Sequence, residues 1–300
     1  MTSLALTAAM AQRPQRFHKQ LPPGNYSGIA PLGGGRYALV SDKTPTDGFY
    51  VVRISIDSIR RRISSLHNEG FRSSGQPNRD IEAVCYCPSA GTVFIAGEKD
   101  GEVPEYSLDG QPTGRRLMMP QAFGRYGRNV GIESLTYDTC RHLFITTTER
   151  PLKGDSLLRI QTFGDNLKPR QQYLYRPDAP ISRKYFHGVS ELCALSDGRL
   201  LVLERQIRVP RLKIGATTVV RIYEVSLDSQ PLSHSGAAET PLLGKRLVGE
   251  VRTRLNLFSR RFANYEGLCE LSPGLLLLVA DSQNRYKGIL RDWLLVLPTS

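Results

Sequence analysis

Asn264-Tyr265-Glu266-Gly267-Leu268-Cys269 leads into the turn Ser272-Pro273-Gly274 and then the run Leu275 to Ala280, which stops at Asp281. A Pro-Gly pair between two apolar segments is a hairpin signal. An aliphatic run with no polar alternation reads as a strand buried on both faces. The unit is therefore a β-hairpin with an acid in its first strand and another at the end of its second.

The unit recurs, and a recurring supersecondary unit decides the fold before any local propensity does. First strands of the same form are Asn25-Tyr-Ser-Gly-Ile-Ala30, Asp80-Ile-Glu-Ala-Val-Cys85, Gly131-Ile-Glu-Ser-Leu-Thr136 and Gly188-Val-Ser-Glu-Leu-Cys193. Their turns carry Gly33-Gly34-Gly35, Pro88 to Gly91, Asp138-Thr139-Cys140 and Ser196-Asp197-Gly198. Their second strands are Tyr37 to Ser41, Thr92 to Ala96, Leu143 to Thr147 and Leu200 to Leu203. All five second strands end at an acid: Asp42, Glu98, Glu149, Glu204 and Asp281. These stand 15, 16, 16, 14 and 15 residues after the first-strand Ser or Glu. A third strand follows the acid (Phe49 to Asp57, Val103 to Leu108, Leu157 to Phe163, Thr218 to Leu227, Trp293 to Leu297). A more polar fourth fits Arg60 to Leu66, Thr113 to Met119, Lys168 to Tyr175 and Lys245 to Val251. Four antiparallel strands per repeat make a propeller blade.

An all-β fold is expected, a single β-propeller over 12–300 with five four-stranded blades. The last repeat runs out of chain, and Gln15 to Leu21 is expected to supply its outer strand and close the ring. Six blades is the alternative count. The interval Ser190 to Glu266 spans 76 residues against 55, 51 and 57 for the others, an excess that suits an inserted loop, Ser229 to Gly244, better than a whole blade.

Three cysteines, Cys85, Cys193 and Cys269, occupy one repeat position, opposite Ala30 and Thr136. That is how small buried hydrophobes behave. Five cysteines without dense spacing do not form a disulfide scaffold, and Cys85-Tyr86-Cys87 is too tight for a metal knuckle. No apolar run approaches the twenty residues of a membrane-spanning helix. Near the start, Leu4 to Ala11 is small and apolar, and Ala9-Met10-Ala11 has the form of a secretory cleavage site. Residues 1–11 are read as a signal-peptide remnant, which places the chain in the periplasm or outside the cell. Forty Lys and Arg against 28 Asp and Glu give a net charge of +12, which favours anionic partners. A monomer is expected. Nucleic acid is not, because the basic clusters lack interleaved aromatics. The chain has no G-x-S-x-G, H-E-x-x-H or Walker loop.

Tyr265-Glu-Gly-Leu-Cys with Leu278-Val-Ala-Asp281, and Gly131-Ile-Glu-Ser-Leu with Thr148-Glu149, resemble the phytase-like domain family known as "esterase-like activity of phytase". The likeness runs from about Asn25 to Pro298. It implies a secreted bacterial propeller hydrolase for which a divalent metal, calcium first, is the expected cofactor. The chain carries no run of clustered aspartates of the kind a multi-calcium phosphate site uses.

First strands line the channel of a propeller, so Ser27, Glu82, Glu133, Ser190 and Glu266 are expected at one mouth. The second-strand acids belong beside them, because the start of one antiparallel strand lies next to the end of its partner. Converging carboxylates repel and need a balance. Three readings stay open: structural networks with the bases that directly follow the acids (Lys43, Lys99, Arg150, Arg205), a hard cation held by Glu82, Glu98, Glu133, Glu149, Glu204 and Asp281, or proton transfer. For the last, Glu133, Glu82 or Glu266 is the candidate base and His187 the candidate acid. Arg79, Asn129, Arg150, Arg205 and Asn264 are the candidate substrate-binding residues. Arg205 to Lys213 reads either as a rim loop that recruits an anionic ligand or as a solvated loop. The expected activity is hydrolysis of an anionic ester or phosphoester at the channel mouth; a non-catalytic propeller binding a glycan, peptide or envelope partner is the alternative.

Overall fold

The computed structural model describes residues 13–124, 131–228, 240–256, 261–282 and 290–299. The expected signal-peptide remnant and Asn129 lie outside them. Five separate antiparallel sheets follow one another along the chain. The first contains β1 (Tyr26–Gly33), β2 (Arg36–Ser41), β3 (Thr46–Asp57) and β4 (Arg62–Pro77). The second contains β5 (Ile81–Cys87), β6 (Thr92–Gly97), β7 (Pro104–Tyr106) and β8 (Pro112–Arg116). The third contains β9 (Ile132–Asp138), β10 (Leu143–Thr148), β11 (Leu158–Gly164) and β12 (Pro169–Tyr175). The fourth contains β13 (Phe186–Ala194), β14 (Leu200–Arg208), β15 (Thr217–Val225) and β16 (Lys245–Arg254), and the fifth β17 (Asn264–Ser272), β18 (Leu275–Asp281) and β19 (Leu294–Pro298).

Within each sheet the strands pair in sequence order, and each first strand packs on the first strands of both neighbouring sheets, β17 on β1 included. That is a five-bladed propeller. Its hydrophobic core is divided among the five seams between blades. Phe94, for example, packs with Phe144 across the seam of blades two and three, their ring centroids 4.5 Å apart. The doubly buried second strands supply both seams at once: Val40 and Ala38 face blade two, while Leu39 and Tyr37 face blade five. This is why those strands read as unbroken apolar runs.

Ring closure differs from the expected form. The last blade has three strands. Gln15 makes only a single bridge to Leu294, with two backbone hydrogen bonds of 2.8 and 2.9 Å. Past it the chain turns, Leu21 N–H donating to Phe17 O at 2.7 Å, and cannot continue the ladder. The Gln15 side chain clasps blade one instead, donating to Ile63 O at 2.8 Å and accepting from Ile63 N–H at 2.9 Å. Blade five is held to blade one by apolar packing, with Tyr26, Leu39 and Ile63 against Leu277, Val279 and Leu294.

Among the described residues the interval from Ser190 to Glu266 contains no sixth sheet. Residues 229–239 of the expected loop lie outside the described residues, and Leu242 bridges Leu174 at the outer edge of blade three. Four cysteines are buried, Cys140 is exposed, and none is in a disulfide. No helix among the described residues is long and apolar enough to cross a membrane.

Adjacent blades touch most closely where a loop of one lies on a glycine of the next. A Cβ on Gly188 would lie 2.7 Å from Glu149 O and inside the Glu149 side chain; Gly131 stands in the same relation to Glu98. Gly249, on an outer strand, has room, its nearest neighbour 3.6 Å away. Gly188→Ala is therefore expected to cost about 1–3 kcal/mol by overpacking, read as a lower urea midpoint, while Gly249→Ala leaves the midpoint unchanged or raises it.

Candidate functional site

Every first strand carries a β-bulge at the same residue. The pairing skips Ser27 between Tyr26 and Gly28, Glu82 between Ile81 and Ala83, Glu133 between Ile132 and Ser134, Ser190 between Val189 and Glu191, and Glu266 between Tyr265 and Gly267. A bulge leaves one residue outside the ladder and re-aims its side chain. Five bulges mark the five inner strands, and the three that carry Glu82, Glu133 and Glu266 turn these side chains into the channel cavity. Directly beside them, each second strand ends opposite the start of the first. Asp42 N–H donates to Asn25 O at 3.3 Å and Glu98 N–H to Asp80 O at 2.8 Å. Glu149 follows Thr148, the partner of Ile132, while Arg205 pairs with Gly188 and Asp281 with Asn264.

This register corrects the ring read from sequence. The fourth blade puts Arg205, not Glu204, in the acid's place. Glu204 is turned outward into a buried cluster: it accepts from Tyr175 Oη and Lys245 Nζ, each at 2.6 Å, and from Asp178 N–H at 2.8 Å. The spacing of 14 to Glu204, the shortest of the set, was the available signal; Arg205 restores 15.

Arg205 is buried and its guanidinium reaches three blades. It donates to Glu149 Oε1 at 2.7 Å on one side and to Asn264 Oδ1 at 3.0 Å and Glu266 on the other. Asn264 Nδ2 in turn donates to Glu266 Oε1 at 2.8 Å. Burial disfavours the Arg205 charge, but Glu266 and Glu149 more than offset it and hold its pKa above the ordinary value.

Around this cation lies a cavity of about 500 Å³, lined by seven carboxylates (Asp42, Glu82, Glu98, Glu133, Glu149, Glu266, Asp281) and two bases, Arg205 and Lys43. The imbalance raises the proton affinity of the group. Burial, then repulsion from Glu133 and Glu266, raises Glu82 well above the usual carboxylate range. Burial, then Glu149 and Glu98, does the same to Glu133. Burial also raises Glu266 despite Arg205, Glu98 with help from Asp80, and Asp42 despite Lys43.

At one side Asp42, Asp80 and Glu82 each bring a carboxylate oxygen within 4.8 Å of the others. Asn78 builds this corner. Its Oδ1 accepts from Asp80 N–H at 2.7 Å and holds Asp80 at φ 60°, while its Nδ2 donates to Thr44 Oγ1 at 2.8 Å on blade one. The buried Oδ1 of Asp42 has no hydrogen-bond partner. Lys43 Nζ lies 2.5 Å from Asp42 Oδ2 and 3.3 Å from Asp80 Oδ1, and it is 46 % exposed. Asp80 did not stand out in the sequence because the corner is assembled from two blades.

The remaining expected residues divide. Arg79 sits between blades, bonded to Asp47 and, at 2.9 Å, to Asp100, away from the cavity. Arg150 stacks on the Phe186 ring, 3.8 Å from its centroid, and Phe186 lines the cavity. The buried Nε of Arg150 has no hydrogen-bond partner. His187 pairs through the β13–β14 ladder with Gln206 and is not among the lining residues. Glu191 is not among the lining residues; its buried Oε1 accepts from Leu192 and Leu135 N–H at 3.0 and 3.3 Å.

The profile of a family described as "Phytase-like: Esterase-like activity of phytase" matches residues 22–282. No curated protein matches the chain. Among solved structures, an endo-arabinase from Bacteroides thetaiotaomicron is similar over 93 % of this chain and 95 % of its own, at 15 % identity and a TM-score of 0.51. The PQQ-bound aldose sugar dehydrogenase from Streptomyces coelicolor is similar over 96 % and 98 %, at 10 % identity and a TM-score of 0.48. At these identities the likeness is one of fold.

Carboxyls raised in the folded state bind more protons there than in the unfolded chain. Their contribution to stability is therefore fully present below the pKa of unfolded carboxylates, about 4, and is lost as pH rises from there through the raised folded-state values. With chelator present, the melting temperature is expected to decline from mildly acidic to neutral pH. Glu133→Gln, which removes one repelling charge, should flatten that decline and raise the neutral-pH melting temperature by about 2 °C for each kcal/mol relieved. A lower melting temperature in Glu133→Gln would contradict the repulsion.

Proposed function

The chain belongs to the phytase-like family, esterase-like activity of phytase, and from that premise we propose that it is a propeller hydrolase acting on an anionic ester or phosphoester at the acidic mouth, with a hard divalent cation, calcium first, held among the carboxylates. The observation that carries this reading is the seven carboxylates facing two bases around one cavity. A cavity of that sign repels an anion, so an anionic substrate needs a cation between itself and the protein. Family membership also favours residence outside the cytoplasm, where calcium sites of 10⁻⁴–10⁻³ M affinity are typical.

The residues present fit such an ion. Asp42, Asp80 and Glu82 offer oxygen donors only, at mutual distances a single ion spans, and one buried Asp42 oxygen lacks a partner. Oxygen-only carboxylate sets suit calcium. A bound dication would neutralise the carboxylates and polarise an ester or phosphoryl oxygen. Lys43, exposed enough to swing away, would yield its place to the ion.

The chain's own groups supply the rest. Burial and neighbouring carboxylates, Glu133 among those acting on Glu82, raise the proton affinity of both groups, so one can hold a proton while the other gives its proton up. Such a pair offers a general base and a general acid in one cavity. This takes the proton-donor role expected of His187, which is not among the residues lining the cavity. Arg150, stacked on the cavity-lining Phe186, supplies a cation beside the cavity for the anionic part of a substrate. Arg205 keeps Glu149 and Glu266 in position and is too engaged to bind substrate.

Turnover of para-nitrophenyl phosphate and a panel of carboxylic esters, measured with calcium and with chelator, tests the reading. Activity is expected only with the ion. Glu133→Gln should lower kcat about 10²–10⁴-fold while the protein stays folded, and Arg150→Ala should act chiefly on KM. Calcium binding without turnover of any ester would instead indicate a cation-stabilised binding propeller.

A further inference from the structure

The blade-four hairpin stands apart from the others. In blades one and three the ladder between second and third strands stops short of the ring residue, at Leu39–Tyr50 and Thr146–Gln161. In blade four it runs three pairs past Arg205, to Arg208–Thr217. At 3.3–3.4 Å per residue the hairpin rises about 10 Å above the acidic ring before it turns. Its root is fixed: Ala216 and Phe262 are buried together with Ile207 and Leu255 against them, and Gly215 N–H donates to Leu255 O at 2.9 Å.

Its tip, Val209-Pro-Arg-Leu-Lys-Ile214, is apolar and open to solvent. Leu212 is 84 % exposed and Ile214 61 %. The chain before β13 joins it on the same rim, where Gln206 accepts from Ile181 N–H at 2.8 Å and donates to Ala179 O at 3.3 Å. There Ile181 and Phe186 are exposed in turn. Cations are interleaved with these side chains: Arg183 and Lys184 on one loop, Arg208, Arg211 and Lys213 on the other. No Asp or Glu occurs between Asp178 and Glu191 or between Glu204 and Glu224.

We propose that these two loops dock the protein on an anionic lipid surface, with Leu212 and Ile214 entering the headgroup layer and the acidic mouth facing the bilayer. Exposed aliphatic side chains alternating with Arg and Lys, on a rigid tip, match an interface that is anionic above and apolar below. A nucleic acid would call for aromatic platforms, which the tip lacks. Acid-free loops beside an acidic channel also separate the two electrostatic tasks: the loops approach the lipid while the channel retains cations.

Flotation with phosphatidylglycerol-containing vesicles and with pure phosphatidylcholine vesicles, in chelator so that no ion bridges carboxylate to lipid, tests this independently of any hydrolysis. Wild-type protein is expected to float with the anionic vesicles alone. Arg208→Glu/Arg211→Glu should weaken that binding at least about tenfold, and Leu212→Asp/Ile214→Asp should do the same without lowering net charge as far. Arg61→Glu/Arg62→Glu, an equal charge change in the β3–β4 turn at the opposite end of blade one from the mouth, should leave it nearly intact. Unaltered melting temperatures will show that the variants fold. Absence of binding to anionic vesicles, or equal losses in tip and control variants, overturns the proposal.

Discussion

Repulsion among carboxylates at the end of the channel is the constraint the rest of the molecule answers to. Asp42, Glu82, Glu98, Glu133, Glu149, Glu266 and Asp281 share one cavity with Arg205 and Lys43. Left ionised and unbalanced, such a group works against the compact state. The fold tolerates it in three ways. Arg205 ties Glu149 of blade three to Glu266 of blade five. Several carboxyls take up protons more readily than usual. The seams below, packed with Leu, Val, Ile and Phe, hold the blades together regardless.

Such a group persists in a folded protein at a cost in stability, and strained or repelling groups tend to gather where function is. The architecture maintains the crowding actively. Bulges mark five equivalent positions, and three of them turn Glu82, Glu133 and Glu266 into the cavity. Gly131 and Gly188 let Glu98 and Glu149 come down onto the next blade. Asn78 holds Asp80 in a left-handed conformation beside Asp42. These devices draw like charges together where a purely structural surface would spread them.

Much of the fold was legible in the sequence because a propeller writes the same hairpin five times. The turn glycines and the doubly buried second strands, such as Leu275 to Ala280, have no other reading. The seams explain why Cys85, Cys193 and Cys269 share a repeat position. Less legible were features that depend on pairing between segments. A bulge changes which residue opposes which without changing the residue types, so Glu204 read as a ring acid until the register gave that place to Arg205. Closure by apolar packing with a single Gln15 bridge depends on contacts between the two ends of the chain, and short periodicity does not record it. The Asp42, Asp80 and Glu82 corner joins blade one to blade two, and Arg79, promising as a rim base, is consumed by Asp47 and Asp100.

If crowding keeps protons on carboxyls at the mouth, a divalent cation that binds among them must displace those protons. Calcium titration calorimetry near pH 6, repeated in buffers of different ionisation enthalpy, measures this directly. Binding is expected to release protons to the buffer, in a number that falls as the pH is raised and falls again in Glu133→Gln. Calcium binding with no proton release at any of these pH values, or no calcium binding at all, would contradict it.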